Sequence, residues 1–177
     1  MKESKCLRCT PVQRILRVAA LALSLALALA ACRQDDGGAL KKTDLLSHGL
    51  ALSILAPDSA EIQSRDLGGI YRDITVKGSG NYALQILATT AETSDIAKIK
   101  AGQLAEVKGS RFFQRIVREE EDGFIYETAV DDNYSNYGFR YIVLQGDQEI
   151  VFQTSLTGQF SLEQAEWMYQ AVQQVRR

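Results

Sequence analysis

The chain has 177 residues, 46% of them apolar, with 20 Lys and Arg against 22 Asp and Glu for a net charge of −2. That length suits one ordinary domain with a proper core. The charge balance leaves no basic stripe, which excludes a nucleic-acid binder that works by neutralising phosphates.

The amino-terminal stretch carries Lys2, Lys5, Arg8, Arg14 and Arg17 against the single acid Glu3. From Val18 to Ala31 the chain is apolar apart from Ser24. A charged head, a short apolar run and small residues at its end are the parts of a secretory signal. The run falls short of the roughly 20 residues that a membrane-spanning helix needs. It closes on Leu29-Ala30-Ala31-Cys32. This stretch resembles the lipobox of bacterial lipoproteins: a Leu three residues before the Cys, two small residues, then the thiol. The resemblance implies cleavage between Ala31 and Cys32, a diacylglycerol on the Cys32 sulfur, and acylation of the new amino terminus. It therefore implies a lipid-anchored protein of the cell envelope, bound to membrane lipid through Cys32; two or more acyl chains anchor stably where one does not. Arg33 stands where an Asp is the usual inner-membrane retention signal of Gram-negative lipoproteins. The resemblance thus points to the outer membrane, with the domain in the periplasm.

The expected organisation is a signal peptide over 1–31, a lipidated tether over 32–48 and a single domain over 49–177. Cleavage would remove five of the basic residues and one acid, leaving 146 residues with 15 basic against 21 acidic, a net of −6. The Cys6-x-x-Cys9 pair falls in the discarded head, outside any βαβ pattern, and is not read as redox or metal chemistry. With Cys32 given to lipid, the mature fold has no disulfide and must rely on packing. Asp35-Asp36-Gly37-Gly38 reads as flexible tether.

Leu50–Leu55 is the first predicted strand, closed by the turn signal Pro57-Asp58. Glu61–Arg65 is a weak strand, broken at Leu67-Gly68-Gly69. Ile70–Val76 and Asn81–Thr89 follow around Gly78-Ser79-Gly80, the latter with Tyr82, Leu84, Ile86 and Ala88 on one side; this is a set of hairpins. The period changes at Thr93. Thr93 or Ser94 caps a helix with Asp95 in its first turn. Ile96, Ile99, Leu104 and Val107 share one arc, into which Lys100 and Gln103 intrude. Gly109 is placed for a C′ stop. Four strands come next: Phe112–Arg118, Phe124–Val130, Tyr137–Gln145 and Glu149–Ser155. Their breaks, Asp122-Gly123, Asp131-Asp132-Asn133 and Gly146-Asp147, are too short for parallel crossovers and predict an antiparallel meander. Tyr137, Phe139, Tyr141 and Val143 share one face, with Ile142 and Leu144 on the other, so the sheet needs cover on both sides. Ser161 with Gln164 forms a capping box, with Phe160 as its staple. Ala165, Met168, Val172 and Val175 make the buried stripe of that second helix, Trp167 and Tyr169 its shoulders, and Arg176-Arg177 meets the negative end of its dipole.

The predicted fold class is α+β: a mainly antiparallel sheet of about seven strands, ending in a four-strand meander, covered by two helices. The element order over 49–177, with the Ala56-Pro57 exit from the first strand and the closing helix, resembles the Mog1/PsbP-like α/β/α sandwich. That family holds non-catalytic interaction proteins, including extrinsic photosystem subunits and a nuclear-transport regulator. The resemblance implies a partner-binding module.

Candidate chemistry is sparse. His48 is the sole histidine, with no second His and no nucleophile elbow to serve it. Metal binding would need more His or Cys, and no cofactor motif is present. Glu119-Glu120-Glu121-Asp122 falls at a hairpin tip, where water keeps carboxylates ordinary. Asp131-Asp132-Asn133 lacks the spacing and distal Glu of a calcium loop. Tyr126, Tyr134, Tyr137 and Tyr141 with Arg140 are of the types enriched at binding hot spots, yet alternation sets Arg140 on the face opposite Tyr137 and Tyr141. Tyr134, in the middle turn, is the expected exposed aromatic and the candidate binding residue. The leading expectation is a lipid-anchored envelope protein with a non-catalytic domain that binds another envelope protein. The rivals are a carrier holding a small apolar ligand between sheet and helix, and a hydrolase using the carboxylates. Replacing Cys32 by Ala should release the protein from membranes or block its processing, read by fractionation and the amino-terminal mass; unchanged membrane attachment would contradict the lipid assignment.

Overall fold

The structure, a computed structural model, describes residues 39–129 and 134–175. The lipobox with Ala31 and Cys32, the Cys6 and Cys9 pair, the Asp131-Asp132-Asn133 turn and Arg176-Arg177 lie outside the described residues. Strands run over Leu40–Asp44 (β1), Ser53–Pro57 (β2), Glu61–Leu67 (β3), Tyr71–Gly78 (β4), Tyr82–Thr90 (β5), Phe113–Glu119 (β6), Gly123–Ala129 (β7), Ser135–Gln145 (β8) and Gln148–Thr154 (β9). Helix α1 spans Ile96–Lys108 between β5 and β6, and α2 spans Leu162–Gln173 after β9. Among the described residues no helix is long and apolar enough to cross a membrane.

Strands β3 to β9 form one antiparallel seven-stranded sheet in the order β3-β4-β5-β9-β8-β7-β6. The fold is thus α+β, with the four-strand meander β6–β9 and two helices. The strands of the meander are joined by short links; the β8–β9 turn uses Gly146 at φ +62°, a conformation that costs glycine little. The β4–β5 turn uses Asn81 at φ +58°.

Residues 40–48, placed in the tether by sequence, carry β1 and a 3-10 turn over Leu46–His48. Strand β1 pairs antiparallel with β2 from Leu40 opposite Pro57 to Asp44 opposite Ser53. Lys41-Lys42-Thr43-Asp44 lacks apolar alternation; the pairing is carried by the backbone and by Ile54 and Ala56 of its partner, which are buried. Leu45, Leu50, Leu52, Ile54 and Ala56 all enter the main core.

Cross-strand partners lie on one face of a sheet, so the register defines two faces. The first carries Ile74, Val76, Leu84, Ile86, Ile150, Phe152, Phe139 and Ile125, all fully buried. Helix α2 lies on it. Its capping box closes in both directions, Ser161 accepting from the Gln164 N–H and the Gln164 side chain accepting from the Ser161 N–H. Tyr169 is at the centre of this core, not on a shoulder: it is fully buried and meets Phe139 and Tyr141 edge-to-face at 5.5 and 5.9 Å. The buried arc of α2 is widened by β2, which packs beside the helix on the same face. Trp167 stands edge-on to Tyr82 at 5.4 Å.

Helix α1 covers part of the second face, through Ile99 against Ile142 and Val151, and through Leu104 and Val107 against Phe124. Its cap is Asp95, one residue past the expected Thr93 or Ser94; the Asp95 carboxylate accepts from the Lys98 N–H at 3.2 Å, while Thr93 accepts from the Asp95 N–H. Gly109 ends the helix at φ −74°, a right-handed value that does not require glycine. Truncating Phe139 to Ala should lower the unfolding free energy by about 3–5 kcal/mol, whereas Ser161→Ala should cost about 1 kcal/mol; urea unfolding of the two variants would separate core from cap.

Candidate interaction surface

Across the second face the register aligns Gln63, Thr75, Gln85, Gln153, Arg140 and Phe124 in one row. Gln85, Gln153 and Arg140 find side-chain partners. Gln153 donates to the Gln85 side-chain oxygen at 2.9 Å, and Gln85 donates to both Asp73 oxygens at 3.1 Å. Arg140, only 8% exposed, donates two bonds to Glu106 at 2.8 and 2.9 Å and one to Gln103. Lys100 donates to the Glu120 carbonyl at 2.7 Å. The polar residues that intrude on the apolar arc of α1 are therefore its tethers to the sheet. Gly138 leaves room for Tyr126: a Cβ there would lie 2.6 Å from the Tyr126 ring. Burial raises the Tyr126 phenol pKa, opposed in part by the Arg140 charge.

The candidate aromatics divide between the faces. Tyr137 and Tyr141 are part-buried against the main core, while Tyr126 and Arg140 lie on the face under α1. Tyr134 is 67% exposed and, with Phe112 and Leu156, lines a cleft of about 350 Å³ whose other walls are polar. The space between sheet and α2 is filled by Met168, Tyr169 and Phe139. Glu119 and Glu120 are not simply solvated. Glu119 sits 3.3 Å from Lys100, and Glu120 accepts from the Tyr169 hydroxyl at 3.3 Å and from Gln173. His48 Nδ1 lies 3.3 Å from the Ser64 hydroxyl, joining the 3-10 turn to β3. Among the described residues no group of three or more His, Cys, Asp or Glu could hold a metal ion.

The two ends of the sheet differ. At one end lie Leu40, Pro57, the β4–β5 turn, Tyr134 and Leu156: Pro57 would be 2.9 Å from a Cβ on Gly78, and Ser155 N–H donates to the Ala83 carbonyl. At the other lie the 3-10 turn and the β3–β4 hairpin tip. There Arg72 donates to the Gly49 carbonyl and pairs with Asp66, whose other oxygen accepts from the Gly69 N–H at 2.7 Å. The tip turns through Gly68 and Gly69 at φ +69° and +76°, a left-handed pair that side chains disfavour. Its flanks are apolar and open: Leu67 is 64% exposed and Ile70 75%, with Leu46 at 63% on the neighbouring turn. Sequence reasoning passed over this patch because Leu67 read as part of the break with Gly68-Gly69 and Ile70 as the start of the next strand; the legible signal was an apolar residue on each side of Gly-Gly, where a solvated turn would be polar.

Hydrogen bonds from Arg140 hold the Glu106 carboxyl below its ordinary pKa. A lowered native pKa contributes stability above the unfolded-state value near 4.3 and loses it as pH falls through the native value. Glu106 is largely exposed, so Glu106→Gln should cost only about 1 kcal/mol at neutral pH. The gap between wild type and variant in urea unfolding should close as pH drops below about 4; a pH-independent gap would show that the ion pair contributes nothing. Comparison with known protein families, characterised proteins and solved structures finds no match to the chain.

Proposed function

We propose that the chain is a lipid-anchored envelope protein, attached through acylated Cys32 on the outer membrane, whose folded domain binds another envelope protein without catalysis. The observation that carries the binding role is the open apolar tip formed by Leu67 and Ile70 beside Leu46. Exposed apolar groups gathered at one place mark interaction sites more often than singly scattered ones. The anchoring role rests on the lipobox-like Leu29-Ala30-Ala31-Cys32. The likeness in element order to Mog1/PsbP-like interaction modules supports the same reading.

The geometry gives the proposal a direction. Seven residues separate Cys32 from Leu40, a reach on the order of 25 Å when extended. Within the folded domain the Leu67–Ile70 tip is at the end of the sheet opposite Leu40, Tyr134 and Leu156, and a protein partner would meet it there.

A photo-crosslinking residue placed at position 70 of the full chain in cells should capture a discrete envelope protein. The Leu67→Asp plus Ile70→Asp variant, still membrane-attached, should lose that partner's co-purification by tenfold or more. Crosslinks from position 70 to lipid alone, or an unchanged partner yield in the double variant, would sink the reading.

A further inference from the structure

The sheet has two edges, and they are built differently. Strand β6 shifts register twice against β7, between Phe113 and Arg115 and between Ile116 and Arg118. Such bulges twist an edge away from further pairing. Strand β3 pairs with β4 without a shift from Glu61 to Leu67, and every residue of it except half-buried Ile62 is exposed. Its outer side presents a regular row of backbone donors and acceptors, the template for adding a strand.

The side chains of β3 specify which strand fits. On the second face Gln153 bonds to Gln85 and Gln85 to Asp73, and the hydrogen-bonded chain stops there. Glu61, Gln63 and Arg65 share that face of β3, and their side chains make no hydrogen bond or ion pair among the described residues. Lys77 and Asp73, their cross-strand neighbours on β4, close no ion pair with them. These three residues are complementary to themselves. Antiparallel pairing about a two-fold axis at Gln63 sets Glu61 opposite the partner's Arg65, and Arg65 opposite the partner's Glu61. Gln63 meets its own counterpart, amide to amide. Moving the axis to Ser64 would oppose Ile62 to the partner's Asp66 and Glu61 to the partner's Leu67, losing both charge pairs. The two-fold arrangement at Gln63 alone pairs every charge at positions 61 and 65, and symmetric closure leaves no further edge at the join.

We propose that β3 is a self-association edge: two copies of this chain pair β3 to β3 antiparallel about Gln63, joining their sheets into one. The inference stands on β3 alone and does not depend on how the chain is anchored or on the Leu67–Ile70 tip.

The test uses the purified full chain in detergent, with sedimentation over a concentration series and two affinity tags for mixing. The parent should dimerise. Glu61→Arg and Arg65→Glu each turn two attractive contacts into repulsive ones and should weaken self-association at least about tenfold. Mixed together, the two single variants should form a heterodimer, since each then offers the other two charges of opposite sign at positions 61 and 65. The double variant E61R/R65E should regain the parent's affinity. Both side chains are exposed, and unchanged circular dichroism and unfolding midpoints show that the variants are folded. A parent that stays monomeric at about 100 µM, a mixture no tighter than the single variants, or capture of an extended peptide on β3 by a monomer would each overturn the proposal.

Discussion

A sheet that is apolar on both faces across its central strands must be covered twice, and among the described residues two α-helices are there to do it. Strand β8 buries Phe139 on one face and Ile142 on the other; β9 buries Ile150 and Phe152 against Val151. On the first face α2 is joined by β2, and together they seal the core around Tyr169. On the second face α1 works alone. A helix of 13 residues is about 20 Å long and about 10 Å wide, against a seven-stranded sheet about 29 Å across. It cannot reach both edges. It covers β8, β9 and β6–β7, and among the described residues no helix lies over β3 to β5 on this face.

The composition of that open region follows from the shortfall. Where α1 lies, the sheet offers Ile142, Val151 and Phe124; beyond it the face turns to Thr75, Gln85, Asp73 and Gln153. Unmet hydrogen-bonding groups near an apolar boundary are costly; Gln153, Gln85 and Asp73 bond along the row, while the buried Arg140 Nε has no partner among the described residues. Arg140 marks the boundary. Its stem is buried under α1 while its guanidinium is held by Gln103 and Glu106 of that helix, so the charge that seems out of place in a strand is the clasp that docks the helix. The same row ends at the edge strand, where Glu61, Gln63 and Arg65 have side chains with no partner among the described residues.

The molecule is also polar along its length. The chain enters the sheet region at Leu40 beside Pro57, near Tyr134 and Leu156, and the apolar hairpin tip closes the other end, braced by the Arg72–Asp66 pair and the Asp66–Gly69 bond.

Much of the fold was legible in the residues themselves. Alternation at Tyr82, Leu84, Ile86 and Ala88 marked β5 and its buried face, short Gly- and Asp-bearing links marked the meander, and Ser161 with Gln164 marked the start of α2, because each of these signals is local. The tertiary structure decided the rest. Strand β1 has no apolar alternation of its own, and its pairing depends on β2, from Asp44 opposite Ser53 to Leu40 opposite Pro57. Arg140 read as a possible hot spot because its partner Glu106 lies on a helix 34 residues earlier. Tyr169 read as a shoulder until β2 widened the groove around α2. The tip at Leu67 and Ile70 read as a break and the start of the next strand, since exposure there depends on which elements cover it. By itself the sequence determined the elements and which face of each is apolar, for periodicity is set within a few residues; which faces are covered, by what, and which are left open depend on the lengths and widths of elements meeting from far apart in the chain.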